Sequence, residues 1–148
     1  MLAAHLVRLP DWPTRLAQAC EAARDRPLHW GRCDCVTFAA DVVHAITGTD
    51  PLADLRGLWR SAGGAHRLLS RLGGLEAAVR WRIGAPLAAP GLAWRGDVVL
   101  VLAPAGSALT VCVGDRLLGP GAAGQQQWPL HAAHPTVRPV AAWGIGHA

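Results

Sequence analysis

The chain contains no lysine, asparagine or tyrosine, and all fourteen of its basic residues are arginine. This bias is typical of a GC-rich genome acting on codon choice, so the arginine content is weak evidence about binding partners. The arginines are scattered between Arg8 and Arg138, with no basic run and no aromatic residues stacked among them. A nucleic-acid groove usually shows clustered basic residues. The net charge of +4 therefore does not predict binding to nucleic acid.

The sequence also lacks an apolar run of roughly 18 residues, the length that a membrane-spanning helix needs. Its most apolar stretch, GDVVLVLAPAG at residues 96–106, has the length of a strand. The first residues, MLAAHLVRLPDW, reach Pro10 and Asp11 too early for a signal-peptide core and its cleavage site. With 51% hydrophobic and 16% charged residues among 148, the chain is predicted to be one ordered, soluble domain made in the cytoplasm.

Four cysteines in a chain without a predicted export signal indicate reduced thiols. Cys33 and Cys35 are separated by one residue, so a disulfide between them would be strained. A metal site on Cys33 and Cys35, completed by Cys20, Cys112 or His29, is an alternative because thiolate and imidazole are suitable ligands. The Cys-x2-Cys pairs of zinc sites are missing, and Cys20 and Cys112 lie in patterns typical of buried sulfur. No cofactor is therefore predicted.

The first half of the chain has the periodicity of helices. Asp11 followed by Pro13 predicts the start of a helix that ends before Pro27. A second helix is predicted from Asp34 to Thr47, and Gly48 suits a left-handed C-terminal cap. After a short helical turn, AHRLLSRLGG and LEAAVRWRIG predict two more helices, each closed by glycine.

The second half has the pattern of short strands. The segments DVVLVLA, ALTVCVG and RLLG are separated by turn residues, and VRPVAAWGI at residues 137–145 predicts a closing strand. The segment GQQQWPLHAAHP between them is predicted to be a polar connection. Helices followed by antiparallel strands indicate an α+β fold, with N-terminal helices packed on a small antiparallel sheet. Most of the tryptophans are predicted to complete the core, namely Trp12, Trp59, Trp81, Trp94, Trp128 and Trp143.

The segment HWGRCDCVTFAADVV at residues 29–43 places a cysteine at a predicted helix start. Asp34 is a favourable N-cap residue, which puts Cys35 in the first helical turn. Unpaired N–H groups and the helix dipole stabilise a thiolate there, so Cys35 is the candidate nucleophile. The adjacent Asp34 carboxylate opposes this effect by like-charge repulsion. Cys33 lies before the helix and does not share its field.

The same segment resembles the nucleophile region of NlpC/P60-type cysteine peptidases, a papain-like group that cleaves peptidoglycan stem peptides. Asp34, Cys35 and Phe38 match the pattern, and Val-Thr replaces the usual Ser-Gly after the cysteine. The stretches TGTDPLADLRGLWRSAGGAHRLLSRLGGLEAAV and WRGDVVLVL are similar to a phage and prophage subgroup often found among tail-tip genes. The resemblance implies a single NlpC/P60-like domain over residues 1–148, with a papain-like core.

The resemblance also shows where this sequence departs from active peptidases. In active members, the strand after the one opened by Gly96 and Asp97 begins with His, in an H-V-G-I-Y-L-G pattern. Alignment on Gly114 puts Ala108 at the position of the base and Gly119 near that of the third polar residue. Neither can accept a proton. A thiol without its imidazole loses both the activating base and the acid for the leaving amine.

Several histidines are candidates for a displaced base. His131 and His134 lie before the last strand, and His29 lies just ahead of the cysteine. Each would need a rearranged site, and a surface loop position is the alternative for all three. His44 lies nine residues after Cys35 on the same predicted helix, about 13 Å away along the axis. The weaker candidates are His5, His44, His66 and His147.

The resemblance implies a structural component of a phage tail tip or baseplate whose peptidase chemistry is lost or impaired. Such a protein would be made in the host cytoplasm and then reside in the virion, docked on hub or distal tail proteins. The alternative is an active peptidoglycan endopeptidase that aids genome entry, with Cys35 as nucleophile and a displaced histidine as base. A third hypothesis is a regulatory or metal-bearing tail module that uses Cys33 and Cys35.

Overall fold

A computed structural model describes residues 6–146 of the protein. Four helices precede five strands, with one short 3-10 turn at Pro90–Leu92, so the predicted α+β fold is confirmed. The predictions for His5 and His147 concern residues outside the described range. The helices are α1 (Trp12–Ala23), α2 (Cys35–Thr47), α3 (Ala62–Arg71) and α4 (Leu75–Ile83), and the strands are β1 (Val98–Ala103), β2 (Gly106–Cys112), β3 (Arg116–Gly121), β4 (Gly124–Pro129) and β5 (Arg138–Trp143).

The five strands form one antiparallel sheet with the order β4-β3-β2-β1-β5. Strands β1 to β4 follow one another as neighbours, and β5 returns to pair with the outer side of β1. The β1–β2 ladder runs from Val98 opposite Val111 to Ala103 opposite Gly106. By contrast, β2 and β3 pair only through Val111 and Cys112. The first residues of β2 therefore lie outside the β2–β3 ladder, and the start of α2 approaches this part of the sheet.

The two faces of the sheet bury different side chains, because successive strand residues point to opposite sides. On one face, Val98, Leu109 and Val111 pack against Val43 and other apolar residues of α2, with α1 and α4 completing the cluster. The opposite face is covered by the segments that precede β1 and β5. Its cluster contains Val99, Val101, Cys112, Leu117 and Ala142 from the sheet, and Ala93, Leu130 and Val137 from those segments.

The helix ends follow the sequence in most places. Helix α2 ends at Gly48, whose φ of 78° gives the predicted left-handed cap. Asp11 precedes α1 as predicted, but its side chain makes no cap hydrogen bond. It accepts instead from Arg15 Nε at 2.7 Å on the exposed side of the helix. Within residues 6–146, no helix is long and apolar enough to span a membrane.

Strand β4 was predicted to be part of a polar connection, and that prediction is wrong. Residues 124–129 pair with β3 along its whole length, with Gly124 opposite Gly121 and Pro129 opposite Arg116. The strand lies at the edge of the sheet and exposes Gln126 and Gln127. An edge strand with polar side chains lacks the apolar alternation by which strands are recognised in a sequence.

The tryptophans differ widely in burial, and Trp12 and Trp128 are partly buried. Trp143 and Trp59 are buried, as predicted. Trp81 and Trp94 are 55% and 67% exposed, so the prediction that they complete the core is wrong. The Trp81 ring stacks under the guanidinium of Arg82, at 4.4 Å from its centroid. A large ring beside an apolar run is therefore not a sufficient signal of burial in this chain.

Asp97 fixes both ends of the described chain to the start of β1. Its buried carboxylate accepts from Arg8 Nη2 at 3.0 Å, Ile145 N–H at 3.0 Å and Trp94 N–H at 2.8 Å. Arg8 Nε also donates to the Ile145 carbonyl at 2.7 Å. Burial lowers the pKa of Arg8, and the Asp97 charge and hydrogen bond oppose that effect. Asp97 of the Gly96-Asp97 pair thus has a structural function.

Candidate functional site

Helix α2 begins at Cys35 because Asp34 caps it. Asp34 Oδ1 accepts from Thr37 N–H at 2.8 Å, and Thr37 Oγ1 accepts from Asp34 N–H at 2.9 Å. This reciprocal pair is a capping box, and both residues are buried. The predicted N-cap is confirmed, and Cys35 occupies the first position of the helix.

The second oxygen of Asp34 holds the surroundings of the helix start. Asp34 Oδ2 accepts from Gly31 N–H at 2.8 Å and from Trp59 Nε1–H at 2.7 Å. Gly31 has φ of 83°, and a side chain there would collide with the Trp59 carbonyl. Because both oxygens are engaged by N–H groups, Asp34 acts as an anchor for the segment before α2 and for the turn at Trp59.

The Cys35 thiol lies where the start of α2 meets β2. Burial raises the pKa of this thiol to about 11. Backbone N–H groups of Leu109, Cys35 and Val36 donate towards the sulfur and lower its pKa, whereas the Asp34 carboxylate raises it. Burial dominates, so the thiol is protonated near neutral pH. Cys35 therefore lies at a helix start, where a thiolate is normally stabilised, yet its thiol is less acidic than that of free cysteine.

A cavity of about 770 Å³ lies between α2, α3, α4 and the start of β2. Its wall is mainly apolar and includes Val43 of α2, Leu69 of α3 and Leu109 of β2. Cys35 also lines the cavity. His66, on an exposed position of α3, also lines it, and no other histidine within residues 6–146 does. The fold thus brings Cys35 and His66 to the wall of one cavity.

The sequence alignment placed the missing base at Ala108 and the third polar residue at Gly119, but neither position faces the Cys35 thiol in the structure. Ala108 packs on the face of the sheet opposite α2. A side chain at Gly119 would point at Trp128, which packs on that same face. An imidazole at either position would therefore point away from Cys35. Leu109, the next residue of β2, does face α2, and its side chain cannot accept a proton.

The structure does not bring the alternative bases His131, His134 or His29 to the cavity. His131 lies beside Gly91 in the segment that covers the opposite face of the sheet. His134 Nδ1 accepts from Thr136 N–H at 3.2 Å and Val137 N–H at 3.1 Å within its own loop. All three histidines are exposed. The geometry therefore does not support a displaced base at His131 or His134.

The other cysteines lie apart from the cavity. Cys33 is buried and pairs through its backbone with His29, and Cys112 Sγ donates to the Gly114 carbonyl at 3.2 Å on the opposite face. Cys20 packs beside the α1–α2 core, where burial raises its pKa to about 11. Among residues 6–146, no three His, Cys, Asp or Glu side chains are grouped as a metal site would require. Cys33 and Cys35 thus have no further ligand beside them in this part of the chain.

Comparison with known families identifies residues 7–145 as a match to the family described as domain of unknown function (DUF6950). The chain belongs to this family. The match covers almost all of the described residues, including Asp34, Cys35 and Asp97. No curated protein and no solved structure matches the chain.

Three residues that shape the site of this DUF6950 member were not recognised from the sequence. Trp59 was predicted as core, and its hydrogen bond to Asp34 is a tertiary contact without a local signal. Leu109 was overlooked because the alignment on a glycine turn pointed to its neighbour. His66 was given a weak claim, although its spacing of three from Leu69 places both on the cavity side of α3. The helical pattern of AHRLLSRLGG carried that signal.

Proposed function

We propose that this DUF6950 domain is a structural component of a phage or phage-like tail tip, built on an NlpC/P60-like core that has lost its peptidase chemistry. One observation carries the proposal. Within residues 6–146, the groups that act on the Cys35 sulfur are backbone N–H groups and Asp34, and no imidazole is among them. A cysteine peptidase needs an imidazole within hydrogen-bond reach of the sulfur, first as base and then as acid.

The acidity of the thiol supports the loss of chemistry. With a pKa of about 11, Cys35 would carry thiolate in roughly one molecule in 10⁴ at pH 7. Free cysteine carries a few per cent under the same conditions. Activated cysteines have a pKa of roughly 3.5 to 7.5. The thiol thus departs from reactivity in the direction opposite to that of a peptidase nucleophile.

The arrangement of the helix and sheet supports descent from a peptidase-like core. A buried carboxylate caps the helix, the cysteine opens it, and the sulfur lies against the second strand of an antiparallel sheet. A fold can persist after its chemistry has gone. A capped helix start with a cysteine, but without the catalytic base, is therefore compatible with a structural function.

Exposed apolar side chains support docking on other proteins. Leu92 and Trp94 are 61% and 67% exposed and lie two residues apart before β1. Leu58, in the turn before α3, is 60% exposed. Tryptophan and exposed apolar groups of this kind are enriched at protein–protein contacts. Hub and distal tail proteins are the partners that the resemblance implies.

Peptidoglycan digestion tests the loss of chemistry. Purified wild-type protein and a Cys35→Ala variant are incubated with peptidoglycan, and released stem peptides are measured by mass spectrometry. We expect no release by either protein, while an active NlpC/P60 peptidase in a parallel reaction releases peptides. Release by the wild type that disappears in Cys35→Ala would overturn the proposal.

Co-expression with hub and distal tail proteins of a phage tail tests the structural function. We expect a complex that survives size-exclusion chromatography. Leu92→Arg should weaken it at least tenfold, whereas Ala122→Arg, a matched change in the exposed β3–β4 turn, should not. A wild-type protein that elutes alone in the presence of these partners would contradict docking.

An active peptidoglycan peptidase is the second candidate, because His66 lines the cavity that Cys35 also lines. Movement of α3 towards α2 would bring the imidazole closer to the sulfur. In that case His66→Ala would abolish cleavage as completely as Cys35→Ala. Matched His131→Ala and His134→Ala variants would retain it, since neither side chain lines the cavity.

A further inference from the structure

The net charge of the protein is concentrated in one part of the fold. Residues 51–84 include α3, α4 and the turn before them, and they hold six of the fourteen arginines but only two of the ten acidic residues, Asp54 and Glu76. The other eight arginines and eight acidic residues balance each other, so this segment accounts for the whole net charge of +4. Arginines that are scattered along the sequence thus leave a local excess of positive charge.

Both acidic residues of this segment already have an arginine partner. Asp54 lies 3.0 Å from Arg82, and Glu76 lies 3.7 Å from Arg80. The other arginines of the segment are exposed, and within residues 6–146 those that form no ion pair are Arg60, Arg67 and Arg71. Three cations therefore face solvent without a carboxylate from the described part of the chain.

These three arginines lie at or beside the outer side of α3. Arg67 and Arg71 are four residues apart and so share one face of the helix, and neither lines the cavity. Arg60 directly precedes Ser61, the N-cap of α3. Arg67 Nη1 lies 3.4 Å from the position that a Cβ atom of Gly63 would occupy, so its guanidinium extends back towards the start of the helix. We call Arg60, Arg67 and Arg71 the basic face of α3.

The start of α3 lacks the negative charge that a helix N-terminus favours. Its first turn contains no acidic residue. Carboxylates are stabilising at this end of a helix dipole, whereas cations are favourable at the other end. The Arg67 guanidinium nevertheless lies beside Gly63 in the first turn. Carboxylates supplied from outside the domain would therefore pair with the arginines and also complement the dipole.

We propose that the basic face of α3 binds an acidic segment of another protein, through glutamate or aspartate carboxylates. Guanidinium groups bind carboxylates in bidentate pairs, which fix orientation as well as charge. Leu58, two residues before Arg60, is 60% exposed and would contact an apolar side chain of the same partner. The proposal is independent of the structural function above, because it requires neither a tail tip nor any property of Cys35.

The composition of this face favours a protein partner over a nucleic acid. Nucleic-acid surfaces combine many phosphate contacts with aromatic rings on which bases stack. The basic face offers three arginines, and no Trp or Phe occurs between Arg60 and Arg71. Arginine beside an exposed apolar side chain is instead typical of protein–protein interfaces.

Fluorescence anisotropy with a fluorescein-labelled decaglutamate peptide tests the proposal on the full chain. At about 0.1 M salt, where the Debye length is about 10 Å, we expect saturable binding that weakens as the salt concentration rises. The combined variant Arg60→Glu, Arg67→Glu and Arg71→Glu should weaken binding at least tenfold. Thermal denaturation checks that it folds, and the corresponding triple change to Gln, which removes the charge without reversing it, replaces it if it does not.

A matched triple variant separates the basic face from net charge. Arg24→Glu, Arg116→Glu and Arg138→Glu together change the net charge by the same amount, at exposed arginines outside residues 51–84. We expect this variant to weaken decaglutamate binding less than threefold. Equal weakening by the two triple variants would mean that the peptide responds to net charge alone, and it would overturn the proposal.

Two other results would overturn the proposal. The first is the absence of saturable decaglutamate binding to the wild type. The second is tighter binding of a labelled oligothymidylate of equal charge that is lost in the Arg60, Arg67 and Arg71 variant, which would assign the basic face to nucleic acid. Since neither assay contains a tail protein, their outcome is separate from that of the co-expression test.

Discussion

Helices α2 and α3 border the same cavity, yet they are held in the fold in opposite ways. Eight residues of α2 are buried, and its start is fixed by a capping box and a tryptophan hydrogen bond. Helix α3 has no buried residue, although Ser61 caps it through Gly64 N–H at 3.0 Å. One wall of the cavity thus consists of a helix with many buried side chains, whereas the other is held through half-buried ones, such as Ala65 and Leu68, which pack against the cluster of Leu52 and Trp59. The comparison indicates that Cys35 has a fixed position, whereas access to it depends on α3.

The largest loss of stability is expected on removal of the buried carboxylate that joins the chain ends to the start of β1. Asp97→Ala removes the acceptor of Arg8, Ile145 N–H and Trp94 N–H in a site where Asp97 is fully buried. Because the partly buried Arg8 cation loses its carboxylate partner, unfolding by urea should show a loss of about 3–5 kcal/mol. Asp115→Ala, on an exposed turn residue, serves as the control and should change stability little. A loss for Asp97→Ala no larger than the control would contradict the anchoring function.

Truncation of one apolar side chain in each helix tests the comparison directly. Ile46 of α2 is fully buried, so Ile46→Ala should lower the free energy of unfolding by about 3 kcal/mol. Leu69 of α3 is half-buried at the cavity wall, and Leu69→Ala should cost about 1 kcal/mol or less. Chemical denaturation of the two variants measures the difference. Equal losses would mean that α3 is packed as firmly as α2.

Asp34→Ala should weaken the connection between the start of α2 and the turn at Trp59 that precedes α3. The variant loses the cap of α2 and leaves Trp59 Nε1–H and Gly31 N–H without their acceptor. Loss of an N-cap and of buried hydrogen bonds together should lower stability by about 2 kcal/mol. Asp25→Ala, on an exposed residue outside the helices, is the matched control. Near-ultraviolet circular dichroism should also show a change in the environment of Trp59, which the control should not produce.

The parts of the fold that local sequence determines were predictable. The cap at Asp34, the glycine that ends α2 and the apolar strands each depend on residues close in sequence. Strand β4 could not be recognised, because an exposed edge strand is specified by its partner β3 and not by its own apolar pattern. The burial of Trp143 and the exposure of Trp94 depend on tertiary packing in the same way.

Only the part of the candidate site that belongs to helix α2 was predictable from the sequence. Cys35 was identified because a capping residue precedes it, and the structure confirms that cap. The facing residue on β2 was misplaced by one position, which in a strand moves a side chain to the other face of the sheet. The cavity could not be foreseen, since it arises from how α3 and α4 lie relative to α2. Arg82 and Asp54 pair across 28 residues, beyond any local pattern.

The smallest expected effect concerns the acidity of the Cys35 thiol, which lies at the start of the firmly packed helix α2. The native pKa of Cys35 is raised to about 11, above the usual value of about 8.5 in an unfolded chain. Alkylation of Cys35 by iodoacetamide, followed by mass spectrometry of its peptide, should therefore rise about tenfold per pH unit from pH 7 to 10 without reaching a plateau.

The raised pKa of Cys35 also determines how the stability of the fold changes with pH. Between about pH 8.5 and 11 the unfolded chain loses the Cys35 proton first, so the contribution of this thiol to stability is present at neutral pH and decreases as the pH rises. Cys20, with a pKa also raised to about 11, adds to the same decrease, and Cys35→Ala should remove only the part due to Cys35. An alkylation rate that reaches half its maximum well below pH 8.5 would show that the N–H groups of α2 and Leu109 outweigh burial. That result would favour an activated nucleophile and therefore the peptidase alternative.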